Sequence, residues 1–403
     1  MPEIVLLLLT IPTVTALIGW ITNWAAVKMI FHPEKFIGIG PVGWQGILTR
    51  QAPKFAQNVA NMVTENFLTA EQMVNSVDPK QVEKLLGDKL DDSTKKLVEE
   101  CGEIVAPGAW PNLPEPMQAM VLAQIKLKTQ EMVTLVFDKV KPLLMKALDL
   151  HAIIIRSLTG ENVQVMVRLT KYIGRKEFKF IEYYGGVFGG LIGLAQVALW
   201  SVLQRWWLMP IVGAIVGLVT NWLAIQMIFR PKEPTKYFGL VTYQGLFPKR
   251  QSQIAQDYGV IAAREILTPK ALIDYIMESE AGQKLGLAVV EAISERIDAE
   301  WEQAKAMMPV QVTEEQLAKI KAKIVEQLLA TLPEIQPELE KYLDETLEVR
   351  ANIEDKMAAL DKDRFERILR GIFEEDEIIL ILVGGVLGAG VGFLQALLVL
   401  AVQ

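Results

Sequence analysis

TNWAAVKMIFHP at residues 22–33 returns as TNWLAIQMIFRP at residues 220–231. The match extends outward on both sides. Upstream, Pro12, Val14, Ala16 and Gly19 align with Pro210, Val212, Ala214 and Gly217. Downstream, with one residue inserted, Gln45-Gly46 meets Gln244-Gly245, Ala56-Gln57 meets Ala255-Gln256, and Leu68-Thr69 meets Leu267-Thr268. Farther on, IKLK at 125–128 meets IKAK at 320–323. Pro142, Lys146, Leu148 and Asp149 meet Pro337, Lys341, Leu343 and Asp344. GGVFGGLIGLAQ at 185–196 meets GGVLGAGVGFLQ at 384–395. Matches that keep their order over most of a chain describe an internal tandem duplication, here of the units 1–203 and 204–403.

The 403 residues are 51% apolar yet 22% charged, a mixture of membrane spans and water-facing parts. Four apolar stretches, Ile4 to Ile21 (continuing to Phe31), Tyr183 to Val202, Leu208 to Phe229 and Ile378 to Val402, are long enough for a ~30 Å hydrocarbon core. The first has no Lys or Arg ahead of it and no small-x-small cleavage site behind it, so it reads as a retained anchor. The expected fold is an all-α membrane protein with four transmembrane helices and two cytoplasmic helical domains. In chain order these are helix 1 at 1–31, a first cytoplasmic domain at 32–180, helix 2 at 181–203, a short external loop at 204–207, helix 3 at 208–229, a second cytoplasmic domain at 230–376 and helix 4 at 377–403. Two spans per copy return the chain to its starting side. The copies therefore share one orientation about a parallel pseudo-twofold axis, unlike inverted-repeat transporters.

Lys and Arg set that orientation. Lys28, Lys35, Arg50 and Lys54 follow span one, Arg175, Lys176 and Lys179 precede span two, and Arg230, Lys232, Lys236, Lys249 and Arg250 follow span three. The link between spans two and three holds only Arg205. The large segments are expected in the cytoplasm and both termini on the opposite side, with the acidic EEDE at 374–377 a local exception of little weight in this rule. Trp20, Trp24, Tyr183, Tyr184, Trp200, Trp206 and Trp207 stand where an aromatic belt belongs.

The water-facing segments carry helical periodicity. Phe55, Val59, Met62, Val63 and Phe67 form one stripe, and Leu317, Ile320, Ile324, Val325 and Leu328 another. Thr69 with Gln72, and Thr313 with Gln316, are spaced as capping boxes. Asp78-Pro79 and Thr268-Pro269 place an N-cap before a proline at the first helical position. PGAWPNLPEP at 107–116 breaks the first unit, and the second breaks near Pro309. EKFIGIGPVGWQG and TKYFGLVTYQG read as short Gly-rich connections with a turn or a brief strand.

These residues resemble a family. The pattern Gly-x-x-Thr-Asn-Trp-x-Ala-x-x-Met-Ile-Phe-x-Pro, the Gln-Gly and the basic turn that follow, and KEFKFIEYYGGVFGGLIGLAQ at 176–196 are similar to bacterial membrane proteins of unknown function of the YheB and YjiN type. The resemblance covers nearly the whole chain and implies a topology without an activity. At the end of the second unit EEDEIILILVGG replaces the basic approach of the first.

The polar residues of the spans define the candidate sites. Asn23 and Asn221, near the cytoplasmic ends of spans one and three, need an internal partner in lipid: each other, or a carbonyl of a neighbouring span. Gln196 and Gln395 pose the same question deeper in spans two and four. Gly19 and Gly217 lie one turn before the asparagines. Gly185, Gly189 and Gly193, and Gly384, Gly388 and Gly392, each place three glycines on one helix face, where another backbone can approach closely. Lys28, Arg50, Lys54, Arg230, Lys249 and Arg250 are candidate contacts for anionic lipid. His32 and His151 have no metal-ligand spacing, Cys101 is the sole cysteine, and GIGPVG at 38–43 lacks the preceding strand of a dinucleotide site. No catalytic, metal or cofactor residues are assigned. A net charge of −7 argues against nucleic acid as partner, and the spans lack an internal carboxylate for ion coupling. The expected partners are membrane lipids and other proteins or further copies of the chain. The expected setting is a bacterial inner membrane or an internal membrane. The expected role is a non-enzymatic scaffold or tether; the alternative is a lipid- or solute-binding protein with an apolar groove beside the Gly-lined spans.

Overall fold

In hydrocarbon a chain must satisfy its own amides and carbonyls, and an uninterrupted apolar run does so as a helix. In the computed structural model, which describes residues 2–39, 42–203, 205–237, 239–305 and 312–402, four helices are long and apolar enough to cross a membrane, over Leu8–Phe31, Arg175–Leu203, Leu208–Phe229 and Glu377–Leu397. The first half of the chain runs α1 (Pro2–Phe31), β1 (Ile37–Ile39), β2 (Val42–Trp44), α2 (Ile47–Arg50), α3 (Ala52–Asn66), α4 (Ala70–Ser76), α5 (Pro79–Val105), α6 (Ala109–Asn112), α7 (Glu115–Ala147), α8 (Leu150–Leu158), α9 (Val163–Ile173) and α10 (Arg175–Leu203). The second runs α11 (Leu208–Phe229), β3 (Thr235–Tyr237), β4 (Val241–Tyr243), α12 (Leu246–Lys249), α13 (Gln251–Ile261), α14 (Pro269–Glu278), α15 (Glu280–Ala304), α16 (Glu314–Leu347), α17 (Val349–Ala358) and α18 (Lys362–Val402).

Local chemistry sets the boundaries. Thr69 and Gln72 make a reciprocal capping box on α4, and Thr313 and Gln316 make one on α16. The Asp78 carboxylate accepts from Lys80 N–H at the start of α5, and the Thr268 hydroxyl accepts from Ala271 N–H at the start of α14. The Pro-rich break lies between α5 and α7, with only the four-residue α6 inside it. Pro309 and Gln204 lie outside the described residues, as do the side chains of Glu374, Glu375 and Asp376 in the acidic run.

Compactness divides the chain into two units, residues 1–67, 154–266 and 350–403 in one, and residues 68–153 and 267–349 in the other. The sequence boundaries 32–180 and 230–376 follow chain order; packing groups the helices differently, and each unit draws on both halves. The cause is visible in the second unit. α5 packs along α16 and α7 along α15, so the first long helix of each half lies on the second long helix of the other. Val140, Ala147 and Leu285 are its buried centre, with Val136, Leu144, Ile276, Ala288 and Val289 around them. Gln316 Nε2 donates to the Ile104 carbonyl at 2.7 Å, and Lys323 pairs with Glu100 at 3.2 Å.

The first unit contains all four long apolar helices and the short helices that follow or precede them. The predicted stripe of α3 is buried, with Phe55, Val59, Met62, Val63 and Phe67 all within 6% of full burial. α3 packs against the start of α18, and α9 against α13, again one half on the other. The Ser157 hydroxyl donates to the Ile266 carbonyl at 3.0 Å, and Arg168 pairs with Glu265 at 2.6 Å.

The repeated Gln-Gly acquires a role here. Gly46 N–H donates to the Pro33 carbonyl at 2.8 Å, and Gly245 N–H to the Pro231 carbonyl at 2.9 Å. Beside them, Gln45 Nε2 donates to the Glu34 carbonyl at 3.0 Å and Gln244 Nε2 to the Lys232 carbonyl at 2.8 Å. Each pair seals a loop at the end of a long apolar helix, and each loop contains a small antiparallel hairpin, β1–β2 or β3–β4. A side chain on Gly46 would fall 2.8 Å from the Phe31 backbone, and one on Gly245 equally close to Phe229, so only glycine closes the loop.

Cys101, in α5, gives a direct probe of the second unit. Burial, reinforced by neighbouring Glu100, pushes its thiol up to about 11. Alkylation by iodoacetamide at pH 8 is expected to run roughly a hundredfold slower than for a free thiol, because only the thiolate reacts. Alkylation at the free-thiol rate would place Cys101 in open solvent.

Candidate functional site in the paired apolar helices

The long apolar helices pair as α1 with α10 and α11 with α18, by far the most extensive contacts in the first unit. Glycine makes the approach possible. A Cβ on Gly19 would collide with the Gly185 carbonyl, and one on Gly217 with the Gly384 carbonyl. Gly189 lies against the backbone of Thr15, and a Cβ on Gly193 would fall 2.6 Å from Pro12 Cα. In the second pair Gly388 lies against Gly213, and a Cβ on Gly392 would fall 2.9 Å from Pro210 Cα. The glycine faces of α10 and α18 are therefore filled by the backbones of α1 and α11.

The asparagines use this closeness. Asn23 Nδ2 donates to the Ile181 carbonyl of α10 at 2.7 Å, and Asn221 Nδ2 to the Leu380 carbonyl of α18 at 2.7 Å. Of the two partners open to them, the structure supplies the carbonyl of the neighbouring helix. Each amide also packs on a glycine: a side chain at Gly185 or Gly384 would overlap Asn23 Nδ2 or Asn221 Nδ2. Each Oδ1 is buried without a hydrogen-bond partner among the described residues. Two turns deeper the halves differ. Thr15 Oγ1, which donates to the Ile11 carbonyl at 2.7 Å, lies 3.3 Å from Gln196 Oε1. Gly213 stands at the position equivalent to Thr15, and Gln395 is buried in α18. Trp200, counted with the aromatic belt on sequence, is buried with Met209 and Ala396, while Trp20, Trp24, Tyr183, Trp206 and Trp207 are exposed.

The basic residues divide. Arg50 and Lys249 are exposed, Lys54 is exposed and engaged in an interaction of its own, and Lys28 Nζ lies 5.8 Å from the Trp24 ring centre. Arg250 is instead bound to Glu177, a carboxylate of α10 only 2% exposed. Arg230 lies 3.4 Å from Glu366, itself 5% exposed, and Lys232 Nζ lies 2.6 Å from the other oxygen of Glu366. Hydrogen bonds from Asp363 and Glu366 hold the Lys232 ammonium above its ordinary pKa, and Asp363 is held below its own by the same lysine. Burial raises the Asp257 carboxyl, against the opposing effect of Arg250 and Lys176. His32 Nε2 lies 3.4 Å from Lys171 Nζ. Glu177 and Glu366 escape a sequence reading because each stands among other charged residues near the start of a long helix; only the tertiary fold shows that they are buried.

The family model described as "Protein of unknown function (DUF445)" matches residues 13–133 and 211–338, more than half of the chain. The chain belongs to this family. A UPF0754 membrane protein of Bacillus pumilus (strain SAFR-032) is 38% identical over 94 residues, 23% of this chain and 25% of that protein. UPF0754 membrane protein YheB of Bacillus subtilis (strain 168) is 34% identical over 91 residues, 22% of this chain and 24% of that protein. A UPF0754 membrane protein of Listeria welshimeri, lwe2241, is 29% identical over 102 residues, 25% and 27% respectively. The chain thus spans about a quarter of the length of the curated relatives it matches. No solved structure matches it. What the family establishes is a helical membrane protein whose function is not known.

The site makes its own energetic ranking. Asn23→Ala should lower stability in mild detergent by about 0.6–2 kcal/mol, the range for one polar contact between apolar helices. Gly217→Val should cost more than about 2 kcal/mol, since the new side chain meets backbone that cannot yield. Glu177→Ala, which strands a largely buried arginine, should cost about 3 kcal/mol, and Arg50→Ala should stay within about 0.5 kcal/mol. Thermal unfolding of the four variants checks the order. A harmless Gly217→Val would contradict the helix pairing.

Proposed function

We propose that the protein is a non-enzymatic, membrane-anchored scaffold. In this reading the four apolar helices form a fixed anchor, and the second unit stands in the cytoplasm as a platform of long helices. The excess of Lys and Arg around the large segments supports that orientation, with both termini on the opposite side of a bacterial inner or internal membrane. The ordered matches between the halves, and the same asparagine–carbonyl contact at Asn23 and Asn221, support an origin by duplication of an ancestor that worked as a dimer.

One observation carries the scaffold reading. α7, 33 residues long, leaves Met117, Met120, Leu127 and Leu135 between 48% and 65% exposed. The 3.6-residue repeat puts these four on one side of the helix. A water-facing helix that keeps such a stripe uncovered is suited to receive another helix, as in helix-in-groove recognition. Its expected occupant is a second copy of the chain, because α5, α7, α15 and α16 already pair with one another by this mode. The lipid- or solute-binding alternative draws on the glycine faces of α10 and α18, and those faces are occupied by α1 and α11. Lys28, Arg50, Lys54 and Lys249 retain the character of anionic-lipid contacts, each worth about 1 kcal/mol near a charged surface.

Mass analysis of the protein in mild detergent tests the reading. The wild-type protein should run as an assembly of two or more chains, and Met120→Glu with Leu127→Glu should shift it toward the single chain without loss of helical content. A wild-type protein that is a single chain at every concentration would overturn it.

A further inference from the structure

The two sealed loops at the ends of α1 and α11 carry the most exposed apolar side chains of the described protein. Ile39 is 91% exposed and Leu240 is 90% exposed. Phe36, Ile37 and Tyr237 beside them are 44% exposed or more. Two-stranded hairpins are marginal in water, and an isoleucine held at a hairpin end in full solvent gains nothing from burial. We propose that both hairpins dip into the interfacial layer of the membrane that α1 and α11 cross, as a matched pair of lipid-inserting wedges.

His32-Pro33 and Arg230-Pro231 end the two helices, and the Gln-Gly bonds close each loop back onto Pro33 or Pro231. In the second loop Tyr243 Oη also donates to the Met227 carbonyl, 2.6 Å away in the last turn of α11. Each hairpin is therefore tied to the end of its helix. Its far end, five or so residues from the sealed base, reaches on the order of 15 Å at the strand rise, enough to enter a headgroup layer beside the helix end.

In β1 Ile37 and Ile39 share one face, and Ile37 pairs with Trp44 across the hairpin. The residue between them, Gly38, pairs with Gly43, over which the Phe36 ring lies, so no polar side chain interrupts the strand. In β3 Tyr237 follows Lys236, and the exposed Leu240 comes at the turn. Exposed Lys35 and Lys236 stand at the base of each apolar run. An apolar end, an aromatic ring and a lysine whose stem can span the boundary are the components of an interfacial anchor.

Trp24 and Trp222, both more than 40% exposed, stand two turns before the ends of α1 and α11, at the depth where an interfacial ring belongs and one short step from the loops. The two hairpins differ in sequence, EKFIGIG against TKYFGL, while keeping their exposed apolar character. A shaped protein pocket would read those differences; a fluid apolar layer tolerates them. The inference rests on the apolar helices crossing a membrane and holds whether or not α7 receives a partner.

The test uses the full chain with Cys101→Ser, which leaves no native thiol. Ile39→Cys and Leu240→Cys are each spin-labelled after reconstitution into phosphatidylcholine–phosphatidylglycerol vesicles, with Met277→Cys, 64% exposed in the second unit, as the water reference. Collision with oxygen reports lipid, and collision with a soluble nickel chelate reports water. Insertion predicts an oxygen-to-nickel ratio at positions 39 and 240 several times that at 277. Ratios equal to that at 277 overturn the proposal, as do labels shielded from both agents, which would mean a protein partner. If either substitution abolishes the thermal transition seen for the parent, the label moves to Ile37 or Tyr237 and is judged by the same ratio.

Discussion

An amide side chain inside an apolar helix bundle must find a partner, and here each asparagine finds the carbonyl of a neighbouring helix that a glycine contact brings within reach. That constraint organises the anchor. Asn23 and Asn221 can donate to Ile181 and Leu380 only because Gly185 and Gly384 let the helices close to backbone contact. Once the carbonyl is reached, the register of the pair is fixed: sliding by one residue would strand the amide and drive the glycine face into side chains. The sequence order Gly-x-x-Thr-Asn-Trp then has a physical meaning, a contact glycine one turn before the amide that spans the gap.

The same logic of incomplete faces extends outward. α5, α7, α15 and α16 each bury one side, and each finds its partner in the other half of the chain. Near the apolar helices α9 meets α13 and α3 meets α18, with Arg250 of the second half held by the buried Glu177 of the first. Neither half completes its own contacts, so the two are obliged to fold together. Removing a charge from such a pair harms more than its formation helped, because the survivor is left in a dry site.

Much of this was legible in the residues. The four apolar helices, the caps at Thr69, Asp78, Thr268 and Thr313, and the glycine faces follow from length, spacing and hydrogen-bonding capacity, which are local properties. The Gln-Gly repeat was visible without its purpose, since sealing a loop against Pro33 or Pro231 depends on where the chain returns. The exchange of helices between halves was not legible at all. Two similar sequences present two similar faces, and periodicity cannot say whether a face is covered by its own half or by the other. The burial of Glu177 and Glu366 was hidden for the same reason, being set by helices distant in sequence.

The helix pairing is open to one direct measurement. A Cβ placed on Gly186 lies 3.4 Å from Trp20 Cβ, close to the separation of a disulfide. In full-length protein with Cys101→Ser, Trp20→Cys and Gly186→Cys should form an intrachain disulfide under mild oxidation, seen as linked peptides after proteolysis. Two thiols that stay free and react separately, or that join only between chains, would contradict the pairing of α1 with α10 on which the account depends.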